Sequence, residues 1–193
     1  MAKITRDSLM TLEAYARARP EFRNRIMAHK KQRIVALGAD ISLHFEDELT
    51  MRYQVQEMLR AERIFEEAGI EDELATYNPL VPDGCNWKAT MMIGYPDVAE
   101  RQVRLTAMKG IEAKVWMRVD GHDPVFAIAD EDLERENADK TSSVHFLRFE
   151  LTQAMVAAVK AGSAISAGVD HHAYSAVTHL SADTRNSLAA DLD

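Results

Sequence analysis

The stretch 44–69, HFEDELTMRYQVQEMLRAERIFEEAG, constrains the fold more than any other part of the chain. It reads as one long helix. Acidic residues (Glu46, Asp47, Glu48) gather at its start, where the helix dipole favours negative charge, and Gly69 stands where a left-handed C-cap would fall. Turned at about 100° per residue, Met51, Val55, Met58, Leu59 and Phe65 share one arc, with Glu62 in its middle. A second arc holds Tyr53, Ala61 and Ile64, with Glu57 among them, and only Arg52, Gln56, Arg63 and Glu67 make a clean polar stripe. A helix with so narrow a wet face is packed on two sides. The expectation is therefore a central helix with two carboxylates, Glu57 and Glu62, turned toward apolar surroundings.

Short alternating segments surround it. Residues 33–37 and 40–45 read as two strands joined at Gly38-Ala39, and 87–95 (WKATMMIGY) and 143–151 (SVHFLRFEL) as two more. Residues 114–119 and 125–129 flank the turn 120–124, and 164–169 forms a last strand leading into the loop Asp170-His171-His172-Ala173-Tyr174. Helices are expected from an N-cap at Thr5 through Leu9, Leu12 and Ala16, and from Pro20 through Phe22, Ile26 and Met27. Others follow at 71–77, from Pro96-Asp97, from Thr152 to Gly162, and after Ser181. Residues 130–140 read as an acidic loop or a single helical turn. Hairpins mixed with single helices, without regular βαβ alternation, mean an α+β fold: a mostly antiparallel sheet packed on the central long helix, in a single domain.

A chain of 193 residues can bury one ordinary core. Its single cysteine excludes an internal disulfide framework and fits a reducing compartment. The N-terminus lacks the apolar run of a signal peptide, and no segment approaches membrane-spanning length, so a cytoplasmic protein is expected. Charge is uneven. Residues 17–33 hold seven basic side chains (Arg17, Arg19, Arg23, Arg25, Lys30, Lys31, Arg33) against Glu21. That is +6 within a chain of net −8, which leaves −14 elsewhere and opposes nucleic-acid binding.

Several phrases carry a resemblance: YQVQEMLRAERIFE, YNPLVPDGCNWKATMMIGYPD, VFAIADEDLERE, KTSSVHFLRFEL and AGVDHHAY, with LEAYARARPEFRNRIMAHKKQRIVALG near the start. Over nearly its whole length the chain resembles the bacterial proteins grouped as domain of unknown function 3501. The resemblance implies company rather than chemistry: genes for a rubrerythrin-like iron protein and an iron–sulfur oxidoreductase of the CCG-domain type nearby, and hence an accessory role in a redox or peroxide-stress system. It carries no catalytic residues. Cys85 stands where the family pattern has serine, and His172 where it has proline.

Two readings follow. In the first, the protein is a non-catalytic accessory or binding protein that docks on an iron-containing redox partner. It would use Arg17, Arg19, Arg23, Arg25, Lys30 and Lys31, or the acidic 130–139 stretch. In the second, it is a small metal-binding oxidoreductase with a site between the central helix and the sheet. Glu57, Glu62, His145 and His171 would hold iron, manganese or zinc there, because metals of that kind favour imidazole and carboxylate together. Each candidate has a plainer reading. Glu57 and Glu62 could be satisfied by an arginine such as Arg60 or Arg148. His145, on a strand face with Leu147 and Phe149, reads as a hydrogen-bonded core histidine. The cluster Asp170-His171-His172, with Tyr174 and His179, reads as polar surface, although His44 and Glu46, on one strand face, could join it in space. Cys85 has only Lys88 nearby to activate it. Glu-x-x-His pairs, phosphate-cradling glycine loops and the Gly-x-Ser-x-Gly elbow are all absent. The oligomeric state is open, a homo-oligomer included.

Overall fold

Among the described residues, nine strands form two antiparallel sheets around a shared core, and the first three α-helices, packed on one another, lie over the outer face of the larger sheet. The structure, a computed structural model, describes residues 3–131 and 140–193. The larger sheet has the order β1 (Ile34–Leu37), β2 (Ile41–Glu46), β3 (Asn86–Ile93), β7 (Val144–Glu150), β6 (Ile128–Ala129). The smaller has β5 (Val125–Phe126), β4 (Val115–Val119), β8 (Ile165–His171), β9 (Tyr174–His179).

Period-2 alternation decides what each strand contributes. Ile41, Leu43 and Phe45 of β2, Trp87, Ala89 and Met91 of β3, and Leu147 and Phe149 of β7 turn inward. There they meet Val115, Met117 and Val119 of β4 and Ile165, Ala167 and Val169 of β8. The sheets join at both edges. At one, the chain passes from β5 to β6 through Ala127, whose N–H donates to the Val115 carbonyl at 2.8 Å. At the other, the Tyr174 hydroxyl donates to the Leu37 carbonyl and the Thr178 hydroxyl to the Ala36 carbonyl, each at 2.6 Å. The β1–β2 turn uses Gly38 at φ +72, a conformation that L side chains resist.

The helices are α1 (Leu12–Lys31), α2 (Glu48–Glu62), α3 (Glu67–Tyr77), α4 (Val98–Ala107), α5 (Gln153–Lys160) and α6 (Ala182–Ala189). Side-chain caps open α4, α5 and α6 at Asp97, Thr152 and Ser181. Among the described residues, no helix is long and apolar enough to cross a membrane.

Three expectations are corrected. The stretch 44–69 is not one helix. His44 and Glu46 belong to β2, paired with Thr90 and Lys88 of β3, and Asp47 caps α2 by accepting from Thr50 N at 2.8 Å. Arg63, in the left-handed region at φ 57, ends α2, and Ile64 N closes back on Leu59 O at 2.9 Å. Gly69 lies within α3 as a packing gap: a Cβ there would come within 2.7 Å of Ile64 Cγ2. Strand pairing is non-local, so helical spacing alone could not exclude it.

Second, α1 is one helix through Pro20, starting from Thr11, while Thr5 precedes only a 3-10 turn, Arg6–Ser8. An interior proline costs about 3 kcal/mol. Burying Tyr15, Phe22 and Ile26 against Tyr53 returns about 1.5–3 kcal/mol per side chain, which outweighs that cost. Third, residues 170–174 are not an open loop. Asp170 and His171 end β8, Tyr174 begins β9 opposite His171, and His172-Ala173 make the tight turn of the hairpin.

Candidate functional site

The same alternation that sends Ile41, Leu43 and Phe45 inward leaves Ser42, His44 and Glu46 on the outer face of the larger sheet. Antiparallel register then aligns side chains across four strands. Ile34 lies opposite His44, His44 opposite Thr90, and Thr90 opposite Phe146. This row floors a cleft of about 260 Å³. Met51 and Gln54 of α2 and Tyr77 and Leu80 near the end of α3 line it as well, with Lys30 from the last turn of α1. Apolar walls carrying a few convergent polar groups are the usual make-up of a ligand site.

Three polar groups decide its chemistry. Glu46 is 8% exposed. Its Oε1 accepts from the Thr90 hydroxyl at 2.9 Å and its Oε2 from the Thr50 hydroxyl at 2.7 Å. Among the described residues it makes no ion pair. Lys88, opposite it in register, turns away to the Pro79 carbonyl. The guanidinium of Arg33 bonds the Glu46 backbone carbonyl at 3.1 Å, but its charge is answered by Asp191 at 2.5 Å and Asp47 at 3.5 Å. Half-buried His44 has its Nε2 at 2.9 Å from Ser42 Oγ, and its Nδ1 has no partner among the described residues. Burial holds its pKa below the ordinary imidazole value; Glu46 opposes this and Lys30 adds to it. His44 is therefore neutral at physiological pH and offers a lone pair. Lys30 holds its ammonium 5.9 Å from the Tyr53 ring centre.

The metal candidates read from the sequence lie apart. Glu57 faces α1, where both its oxygens are held by Arg19 at 2.7 Å and one by the Tyr15 hydroxyl at 2.6 Å. Arg19 holds its pKa down to about 2 against the effect of burial. The bonded arginine is Arg19; Arg60, named from the sequence, adds a weaker pull of its charge, and Arg148 is paired with Glu131 and Glu150. Glu62, expected among apolar neighbours, is exposed at the last residue of α2, and Phe65 beyond it is 72% exposed, because the helix ends before that arc is complete.

His145 is fully buried beside Leu147 and Phe149. Its Nδ1 lies 2.5 Å from Asp130 Oδ2, and its Nε2 2.9 Å from the Thr141 hydroxyl. His171 is pinned at both nitrogens: Nε2 donates to the Lys109 carbonyl at 3.0 Å, and Nδ1 accepts from Ala173 N at 3.2 Å. Among the described residues, no group of three or more His, Cys, Asp or Glu side chains is set to hold a metal ion. Glu57, Glu62, His145 and His171 are not brought into one site.

The basic segment divides in the same way. Arg19 is bound to Glu57, Lys30 lines the cleft, and Arg33 is buried. Arg17, Arg23, Arg25 and Lys31 remain exposed on α1. Of the acidic stretch 130–139, residues 132–139 lie outside the described residues. Cys85 is exposed, and its Sγ donates to Asp83 Oδ1 at 3.2 Å. That bond, burial and the charges of Asp83 and Glu150 push its pKa up to about 11, the opposite of an activated thiol.

The family profile described as Protein of unknown function (DUF3501) matches residues 3–192. The chain is also similar to a solved structure from Burkholderia pseudomallei, described as a novel protein of unknown function. The two are 53% identical, each is covered over 100% of its length, and the TM-score is 0.93. No curated protein matches the chain.

Proposed function

We infer the function from the cleft, because the family to which this chain belongs, Protein of unknown function (DUF3501), carries none in its description. The protein is a binding protein that holds a small cation over the outer face of its larger sheet. The supporting observation is Glu46, a carboxylate buried at the edge of an apolar-walled cleft and bonded, among the described residues, by two hydroxyls and by no cation, Lys30 of the same cleft lying over the Tyr53 ring instead. A buried charge is costly without a counter-charge. A cation in the cleft supplies one, with the neutral imidazole of His44 beside it.

Methionine methyl groups provide the test. Met51 and Met92 both line the cleft, and Met51→Leu and Met92→Leu identify their signals in a 13C-methyl-methionine spectrum. Titration with tetramethylammonium, phenethylamine, zinc(II), manganese(II), iron(II) and copper(I) should shift those two signals saturably for at least one cation. Glu46→Gln should abolish the shift. If no cation moves them, or if Glu46→Gln responds like the parent protein, the cleft is not a cation site.

A second reading draws on the exposed Arg17, Arg23, Arg25 and Lys31 of α1. They suit an acidic partner surface, and the resemblance suggests which: an iron-dependent redox or peroxide-stress system with a rubrerythrin-like protein or an iron–sulfur oxidoreductase. Charge reversal at Arg23 and Arg25 should then weaken co-purification with that partner. Unchanged recovery removes this surface from consideration.

A further inference from the structure

We propose that the cleft binds a soft monovalent metal ion, copper(I), through the His44 imidazole and the Met51 and Met92 thioethers, with Glu46 as counter-charge. This deepens the cation-binding reading and depends on it.

The three donors come from separate elements that the fold brings to one cavity. His44 lies on β2, Met92 on β3, and Met51 in the first turn of α2. His44 pairs directly with Thr90, so Met92 is its diagonal neighbour across the ladder. Such neighbours stand roughly 7–8 Å apart, within reach of an imidazole and an unbranched thioether chain. Met51 is only 4% exposed yet lines the cavity, while Met92 is 43% exposed, an unusual place for a methionine that serves only as core filler. The Ser42 hydroxyl, 2.9 Å from Nε2, fixes the ring in the way outer ligands orient metal-bound histidines, and leaves Nδ1 for the ion.

Donor type and charge select the ion. Thioether sulfur and imidazole nitrogen favour copper(I) over the hard cations, which take oxygen ligands. The oxygens of Glu46 already accept from Thr50 and Thr90, so the carboxylate acts through its charge. Three neutral donors leave the ion its full charge, and Lys30 already sets one positive charge beside Glu46 in this cavity, which disfavours a divalent ion more than a monovalent one. Binding is a ligand exchange: copper(I) loses its solvent or carrier ligands, and no electron is transferred.

The experiment is an anaerobic competition with bicinchoninate for copper(I), on the whole chain carrying Cys85→Ser so that the thiol cannot serve as a ligand. One equivalent should be retained. Met92→Leu and His44→Gln should each weaken retention by roughly tenfold or more, since even outer-shell losses cost a metal site that much. Their thermal unfolding should stay close to that of the parent, and X-ray absorption should show sulfur and nitrogen around copper, with less sulfur in Met92→Leu. The proposal is overturned if no copper(I) is retained, or if both variants hold it as tightly as the parent. An ammonium ligand bound in a Glu46-dependent way without copper retention overturns the copper assignment and leaves the cation cleft standing. Copper retention that Glu46→Gln does not weaken removes Glu46, and with it the charge argument under both readings.

Discussion

Replacing Arg33 by methionine probes a buried and heavily bonded charge. Arg33 is 1% exposed. Its guanidinium donates to the Phe45, Glu46 and Ser187 carbonyls at 3.0–3.1 Å and to Asp191 at 2.5 Å. It thereby ties the start of β1 and the end of β2 to α6 and the segment that follows it. Methionine keeps most of the volume and removes the charge, which leaves Asp191 in place with a side chain 2% exposed. Removing one member of a buried pair costs about 3–5 kcal/mol. In a chain of this size that lowers Tm by roughly 6–20 °C.

The loss depends on pH. Burial already pushes the Asp191 pKa up to about 6, with Arg33 pulling it the other way. A raised carboxylate pKa means that the folded state binds the proton more tightly, so stability falls as pH rises from about 4 through 6. Without Arg33 the pKa rises further. The deficit of Arg33→Met should therefore be largest at pH 7.5 and shrink toward pH 4.5, where Asp191 can stay protonated. Urea unfolding at both pH values measures this, and Arg33→Met/Asp191→Leu should recover at least half of the loss at pH 7.5. A single variant within about 1 kcal/mol of the parent at both pH values would refute the reasoning, as would a double variant no more stable than the single.

Glu57 has the opposite sign. Its pKa is held down to about 2, so its bonds to Arg19 and Tyr15 stabilise the fold above pH 4.5 and are lost as pH falls toward 2. Glu57→Gln should cost about 1 kcal/mol at pH 7, solvent screening of the half-buried pair allowed for, and should flatten the acid limb of the stability profile. An unchanged acid limb would show that the pair contributes nothing. Cys85 should react with a disulfide reagent at pH 7.5 roughly tenfold more slowly than an ordinary thiol, because a pKa pushed up to about 11 makes the thiolate scarce faster than it makes it more nucleophilic. Asp83→Asn should restore much of the rate, and a parent rate equal to that of a free thiol would contradict the Asp83 bond.

Local signals carried much of the fold. Alternation located β2, β3, β7 and β8, because each has one face in the core, and side-chain chemistry located the caps at Asp97, Thr152 and Ser181. The misreadings share a cause, which is that tertiary contacts override local preference. On the expected helix Phe45 falls on the polar stripe with Arg52, Gln56 and Arg63, whereas its pairing with Ala89 of β3 gives it a strand face in the core. Pro20 is a local breaker that the burial of α1 overrides. β9, Tyr174–His179, presents alternating half-buried and exposed residues instead of an apolar face, so its place at a sheet edge left no strong trace in the sequence.

The site was harder to read for a related reason. Helical spacing places a carboxylate on an arc but says nothing about what faces it. Glu57 faces Arg19 across two helices, and Glu62 faces solvent because α2 ends at that residue. A usable signal lay in Ile41-Ser42-Leu43-His44-Phe45-Glu46, where apolar and polar residues alternate through Glu46. Alternation already placed His44 and Glu46 on one strand face, but counting Glu46 also among the acids of a helix start, where an acid needs no further explanation, hid its partners. Extending the strand by one residue puts Ser42, His44 and Glu46 on one face, and the register with β3 adds Thr90 and Met92. The roof of α2 and α3 then encloses a carboxylate that makes no ion pair among the described residues, beside an imidazole whose Nδ1 has no partner among them, two features that neither strand nor helix possesses alone.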